Sequence, residues 1–179
     1  MDSRRSERLR GHNVDVAVVG GGAAGFFAAI NVKENYPDAE VTIFEKSKEI
    51  LSKVKVSGGG RCNLTNDCSG NAELSEAYPR GGKALKRAFY RFDNKDTMKW
   101  FESRGVALVV EEDGCVFPRS QNSQSVIDCF LEQTRKLGVL IEMGKGVKAI
   151  DVITDKLHLT FVGEKSPAHS FDKVIVASG

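Results

Sequence analysis

No run of apolar residues in this chain approaches the ~20 that a membrane-spanning helix requires. Neither sign of charge dominates, since 26 basic and 24 acidic residues leave a formal charge of only +2. With the basic residues dispersed outside the amino-terminal tail, this balance gives no reason to expect nucleic acid or an anionic membrane as a partner. Histidine and cysteine are few and poorly spaced for metal binding. The three histidines, His12, His158 and His169, are scattered, and Cys62, Cys68, Cys115 and Cys129 contain no C-x-x-C pair. Reduced thiols, one or two of them buried, are expected of Cys115 and Cys129. Asn63-Leu64-Thr65 spells a glycosylation sequon, which means nothing without an export signal.

What is present suits one globular domain: 179 residues, 41% hydrophobic and 28% charged. Ser3, Arg4 and Arg5 ahead of "VDVAVVGGGAAGFFAAI" could suggest a twin-arginine export signal. Asp15 and four glycines interrupt that stretch, and no small-x-small cleavage site follows. The expectation is a cytoplasmic protein with a flexible basic tail over residues 1–12 and a folded portion over 13–179.

The first folded residues read as strand, tight turn, helix, turn, strand. Val14 to Val19 is a β-branched run suited to a strand buried on both faces. It ends in G-x-G-x-x-G at Gly20, Gly22 and Gly25, the helix begins through Ala23 and Ala24, and Pro37 stops it. Glu40 to Lys46 supplies a second strand with Glu45 near its end. In dinucleotide binding Gly20 permits the turn, Gly22 lets backbone approach a pyrophosphate, and Gly25 allows close helix packing. Glu45 lies 25 residues beyond Gly20, where its carboxylate can accept hydrogen bonds from ribose hydroxyls and repel a 2′-phosphate. Lys46 stands beside it. The nucleotide expected is an ordinary adenosine type such as FAD or NAD.

A second glycine cluster, "VSGGGRCNLTN" from Val56 to Asn66, makes neither a good helix nor a good strand. Bare backbone flanked by short polar side chains suits close approach to a ligand. "SGGGRCNLTN" resembles the signature of a family of NAD(P)/FAD-dependent oxidoreductases, the aminoacetone oxidase-like or bile-acid dehydro-reductase-like flavoproteins. The resemblance extends to "VVGGGAAG", Lys53, "WFESRGV", "EEDGCVFPRSQNSQSVIDCFL" and "VIVASG". The chain departs from it at Cys115, where members have arginine, and at Leu51 and Ser52 ahead of Lys53.

The resemblance implies a Rossmann-like FAD-binding domain of the two-dinucleotide-binding flavoprotein type, with a parallel sheet plus an antiparallel β-meander, incomplete at its carboxyl end. It places Ser57, Gly58, Gly59, Gly60, Arg61 and Cys62 along the pyrophosphate and isoalloxazine. Arg61 would offer a cation to phosphate or flavin oxygens, with a surface salt bridge as its alternative role. Asn63, Thr65 and Asn66 would fix the loop and the ring's polar edge. Val147 falls where members contact adenine through backbone, and Ala177, Ser178 and Gly179 form the turn leading back to the dinucleotide. Because the chain stops there, it is expected to be an amino-terminal portion lacking the substrate domain and the last flavin-domain segment, and inactive alone.

Elsewhere the pattern predicts helices over Lys83 to Phe92 and Asn94 to Gly105, the second capped by Asp93 or Asn94. Phe89, Phe92, Met98 and Phe101 are expected in the core. A hairpin turning at Asp113-Gly114 follows, then a helix from Ser123, expected as its cap, and a buried strand "VLIEMG". The function expected is hydride transfer through FAD to or from an unknown small-molecule substrate. No metal or nucleic acid is expected, no general acid or base can be named, and NADH, NADPH, oxygen and another protein stay open as electron partners. Two alternatives stand beside it: a disulfide reductase-like flavoprotein using Cys62 and Cys68, and an NAD-binding dehydrogenase or sensor.

Overall fold

A computed structural model describes residues 13–165 and 169–179. The expected tail over residues 1–12 lies outside the described residues. The chain divides into two compact units, one formed by Met1–Leu51 with Glu132–Gly179 and the other by Ser52–Leu131.

The first unit begins with β1 (Asp15–Val19), α1 (Ala23–Asn35) and β2 (Glu40–Glu45). Alternation along β1 divides its two buried faces. Val18 points towards α1, since a Cβ placed on Gly25 would stand 3.4 Å from its methyl group, whereas Ala17 belongs to a core with Phe44, Leu159, Phe161 and Phe171. On the helix, Phe26, Ala29 and Ile30 are fully buried. Lys33 closes the turn after α1 by donating to the carbonyls of Pro37 and Ala39 at 2.5 and 2.9 Å.

The second unit contains the short helix α2 (Ser52–Val56), a 3-10 turn (Ser57–Gly60), β3 (Thr65–Asn66), α3 (Asn71–Glu76), α4 (Gly82–Phe89) and α5 (Asn94–Glu102). The hairpin strands β4 (Leu108–Val110) and β5 (Cys115–Pro118) follow, and β5 also pairs with β3. Asp93 caps α5 through a reciprocal box with Asp96, at 3.0 and 3.2 Å. The core is aromatic: Trp100 and Phe101 meet Phe130 with ring centroids 5.6 and 5.5 Å apart. Phe130 comes from α6 (Gln124–Leu137), whose residues up to Leu131 belong to this unit and the rest to the first.

Back in the first unit, β6 (Leu140–Met143) pairs parallel with β2. The meander β7 (Val147–Ile153), β8 (Lys156–Phe161) and β9 (His169–Phe171) leads to β10 (Lys173–Val176), which lies parallel to β1. The sheet order is therefore β10-β1-β2-β6, all parallel, with the antiparallel meander as a separate sheet. This is the parallel-plus-meander arrangement expected.

Several local expectations need correction. β6 is an edge strand, not a buried one, and its Leu140 is 63% exposed. Of the four residues expected in the second unit's core, Phe101 is buried and Phe89 and Met98 are half-buried, while Phe92 is exposed. Phe89 ends and Phe92 follows α4, a helix that buries none of its residues. Ser123 does not cap α6 with its side chain; the Asn122 carboxamide oxygen accepts from the Gln124 N–H at 2.9 Å instead.

Candidate functional site

In the first unit the turn between β1 and α1 is locked by contacts that exclude side chains. Gly20 has φ +116°, and its N–H donates to the Phe44 carbonyl at 2.8 Å. A Cβ there would stand 2.6 Å from the Ala177 carbonyl oxygen. Gly25 is fixed by space, since a Cβ on it would run into the Gly20 carbonyl oxygen. Gly22 differs from both. A Cβ on it would meet nothing within 4 Å, although the residue stands at the helix N-cap with extended backbone. Ala23 and Ala24, in the first turn, are exposed and no acidic residue accompanies them. The helix amino terminus therefore carries no acid of its own and has room beside Gly22, an arrangement suited to an anion.

Glu45 is bound to this turn. One carboxylate oxygen accepts from the Gly21 N–H at 2.7 Å and the other from the Ser47 N–H at 2.9 Å. Burial pushes its pKa up, but the backbone hydrogen bonds from Ser47 and Gly21 outweigh that and hold it below the ordinary value. Each oxygen keeps a further lone pair for a ribose hydroxyl. Gly21, read only as a spacer in the motif, is the residue this contact needs: a Cβ on it would lie 2.9 Å from the Glu45 Cβ. Three consecutive glycines were the available signal.

The other first-unit candidates lie around the strand ends. Ala177 donates to the Val19 carbonyl at 2.8 Å, and Ser178 and Gly179 follow it exposed. Lys46 is exposed beside Glu45. Val147 pairs with Phe161 and packs half-buried against the meander core.

In the second unit the glycine loop is a turn of left-handed residues. Gly58, Gly59 and Gly60 have φ of 55°, 67° and 86°, and Cys62 follows at 63°, rare for a residue with a Cβ. A Cβ on Gly58 would stand 2.7 Å from the Asn63 nitrogen, whereas one on Gly59 would meet nothing. Side chains distant in sequence hold the loop. Buried Ser123 donates its hydroxyl to the Lys55 carbonyl at 2.9 Å and its N–H to the Gly60 carbonyl at 2.8 Å. Ser57 donates to the Val54 carbonyl at 3.0 Å, and Lys53 is exposed on α2. Beyond the loop, Thr65 pairs with Val116, and buried Asn94 donates to the carbonyls of Asn66 and Cys68 at 2.8 and 3.1 Å.

Arg61 is engaged within the unit. Its guanidinium pairs with Glu111 at 2.6 Å, donates to Gln121 at 3.0 Å and lies 3.9 Å over the Phe117 ring. Of the two roles expected for it, this is the geometry of the salt bridge. Asn63 donates to the Cys115 sulfur at 3.4 Å. Cys62 and Cys68 are both free and buried, and burial pushes both thiols up, against the lowered pKa of a reactive thiolate. Among the described residues no group of His, Cys, Asp or Glu could hold a metal, and no helix is long and apolar enough to cross a membrane.

A parallel sheet whose first strand turns through bare backbone into a helix, with an acid of the second strand bound to that turn, defines a Rossmann-type dinucleotide domain. The added meander and glycine loop mark the FAD-binding, oxidoreductase class. Within that class the chain belongs to the HI0933-like protein Rossmann domain family, matched over residues 14–179.

Among curated relatives, it is 30% identical over 164 residues to the 3-dehydro-bile acid delta(4,6)-reductase of Clostridium scindens, covering 92% of this chain and 38% of that protein. It is 27% identical over 165 residues to the ribosomal RNA dihydrouridine synthase of Haemophilus influenzae, covering 90% and 39%. The chain thus spans about two fifths of the length of these relatives. Two solved structures are similar in fold. A variant of the Escherichia coli quinol fumarate reductase subunit FrdA has TM-score 0.65 at 16% identity, covering 94% of this chain and 33% of that one. THI4 of Thermovibrio ammonificans has TM-score 0.56 at 16% identity, covering 98% and 61%. The RNA-modifying relative removes the support for excluding nucleic acid, which rests on the charge balance and the dispersal of the basic residues, and that expectation is withdrawn.

Proposed function

We propose that this chain is the FAD-binding portion of an oxidoreductase that transfers hydride to a carbon–carbon double bond polarised by a conjugated carbonyl. One relative's name describes reduction of double bonds in a 3-dehydro bile acid; the other describes formation of dihydrouridine, uridine with hydrogen added across its ring double bond. A small molecule with such a group is the substrate assigned here, since the reductase is the more similar of the two. A cytoplasmic location is part of this reading.

Bound FAD supplies the chemistry, a ring that accepts or donates hydride. The chain's residues bind and orient it. Gly20, Gly22, Ala23, Ala24 and Gly25 take the pyrophosphate, and Glu45 takes the ribose, with Lys46 and Val147 on the adenosine side. Lys53, Ser57, Gly58, Gly59, Gly60, Cys62, Asn63 and Thr65 line the flavin end, with Arg61 bracing that loop through Glu111. Ala177, Ser178 and Gly179 close the turn. The observation that carries the reading is Gly22: its Cβ position is empty in a turn where the neighbouring glycines are packed, so the space is left for a ligand.

The test is to express the whole reading frame, titrate FAD by fluorescence quenching, reduce the protein anaerobically with NADH or NADPH, and mix it with a cyclic enone. A yellow protein whose reduced spectrum reverts while the product gains two hydrogens by mass spectrometry supports the proposal. A colourless protein that takes up NAD and no FAD overturns it in favour of a dehydrogenase or sensor.

A further inference from the structure

The stretch between Cys68 and Asn94 is not absorbed by the flavin reading. Residues 77–92 hold five basic side chains, four aromatic ones and no acid, in a chain whose formal charge is only +2. The basic residues are not dispersed here, as the whole-chain balance suggests. Helical spacing gathers them. Lys83, Lys86, Arg87, Tyr90 and Arg91 follow one another at the i, i+3, i+4, i+7, i+8 positions that share one helical stripe, and the Tyr90 backbone keeps the helical conformation past the end of α4. All five are exposed, Tyr90 by 72%, and Arg80 and Tyr78, 45% exposed, adjoin them. None of the five cations belongs to an ion pair among the described residues.

The excursion is anchored beside the glycine loop. Asn94 binds the carbonyls of Asn66 and Cys68, and Lys95 pairs with Asp67, so the segment leaves and rejoins the unit at the strand following that loop.

We infer that this stripe is a docking surface for a single-stranded nucleic acid, with the cations on phosphates and Tyr90 stacked under a base. Clustered unpaired cations match a polyphosphate, and an exposed tyrosine offers a flat ring to unpaired bases. An anionic membrane fits less well. The apolar members Leu85 and Phe89 are half-buried, and Phe89 packs on Tyr78 at 5.6 Å, so no aliphatic face is left to insert.

The experiment is fluorescence anisotropy of the whole protein, without flavin, against a labelled single strand of ~12 nucleotides made as RNA and as DNA, between about 50 and 200 mM salt. The triple variant Lys83→Ala, Lys86→Ala, Arg87→Ala should weaken binding by about tenfold or more and flatten the log–log salt slope by about 2, at ~0.7 per phosphate contact. Tyr90→Ala should weaken it by about fivefold or more with the slope unchanged. A charge-matched control, Lys99→Ala, Arg135→Ala, Lys148→Ala, should leave both unchanged. Binding of either strand supports the surface, and preference for RNA assigns the 2′-hydroxyl. Loss in the control equal to the stripe variant, absence of binding at low salt, or uptake by phosphatidylserine vesicles in place of the oligonucleotide each overturns it. FAD titration of the same variants should be unchanged, which separates this outcome from failure of the flavin reading.

Discussion

Two alanine substitutions in the first turn should have opposite effects. At Gly22 the backbone is extended, at φ −90° and ψ −178°, and an added methyl meets nothing within 4 Å. Alanine is a poorer N-cap than glycine by about 0.5 kcal/mol, and the smaller freedom of the unfolded chain returns about 0.4–1 kcal/mol. The net change in stability is therefore within about 0.5 kcal/mol of zero. At Gly25 the methyl would overlap the Gly20 carbonyl oxygen, a backbone atom that cannot rotate aside. Helix propensity favours alanine there by ~1 kcal/mol, but overpacking against backbone lies at or above the upper end of its usual ~1–3 kcal/mol, leaving a net loss of about 2 kcal/mol. Urea midpoints should thus separate Gly25→Ala from wild type and leave Gly22→Ala unmoved. FAD titration should rank them differently. On the proposed binding mode Gly22→Ala places its methyl where the pyrophosphate approaches, and losing one charge-assisted hydrogen bond of about 1.5–3 kcal/mol would weaken binding roughly tenfold to a hundredfold. Should Gly22→Ala bind FAD as tightly as wild type, or unfold as early as Gly25→Ala, the reasoning fails.

Glu45→Gln should change the acid limb of stability: the folded pKa lies below the unfolded value of about 4.3, so the contribution is whole above that pH and disappears as pH falls through the folded pKa. Melting temperatures between about pH 3 and pH 7 should converge for the two proteins at the acid end. For the thiols, titration under denaturing conditions should count all four before and after dithionite treatment; a gain of two on reduction would restore the disulfide-reductase alternative. The Arg61–Glu111 pair is partly exposed, so a double-mutant cycle with Arg61→Gln and Glu111→Gln should return a coupling of only about 0.5–1 kcal/mol. Both single variants should weaken FAD binding by a similar factor. A much larger loss for Arg61→Gln would mean that its charge serves the cofactor and not the loop.

Sequence patterns acting over a few residues were legible. The β-branched run of β1, the glycine spacing, the Asp-Gly hairpin turn and the order of the meander strands each express a local rule, and each formed as read. The misreadings had another cause. Phe92 looked like core and "VLIEMG" like a buried strand because their side chains are apolar. Burial, however, depends on what another part of the chain brings to that face, and the stretch from α4 through Phe92 and the edge strand β6 receive little. The dispersal expected of the basic residues fails as well, since five cations share residues 77–92 without an acid, a cluster that the chain's net charge does not record.

The sequence by itself determined the βαβ turn and the oddity of the second glycine cluster, because backbone that must bend or be approached closely leaves glycine at fixed spacing. Only the tertiary structure decided how those features are held. Glu45 spends its carboxylate on Gly21 and Ser47, Ser123 ties both ends of the glycine loop, and Arg61 turns to Glu111. Apart from the local Glu45–Ser47 bond, these contacts join residues 24 to 68 positions apart. No periodicity records them, because hydrogen bonds of this kind depend on where the folded backbone places two groups in space.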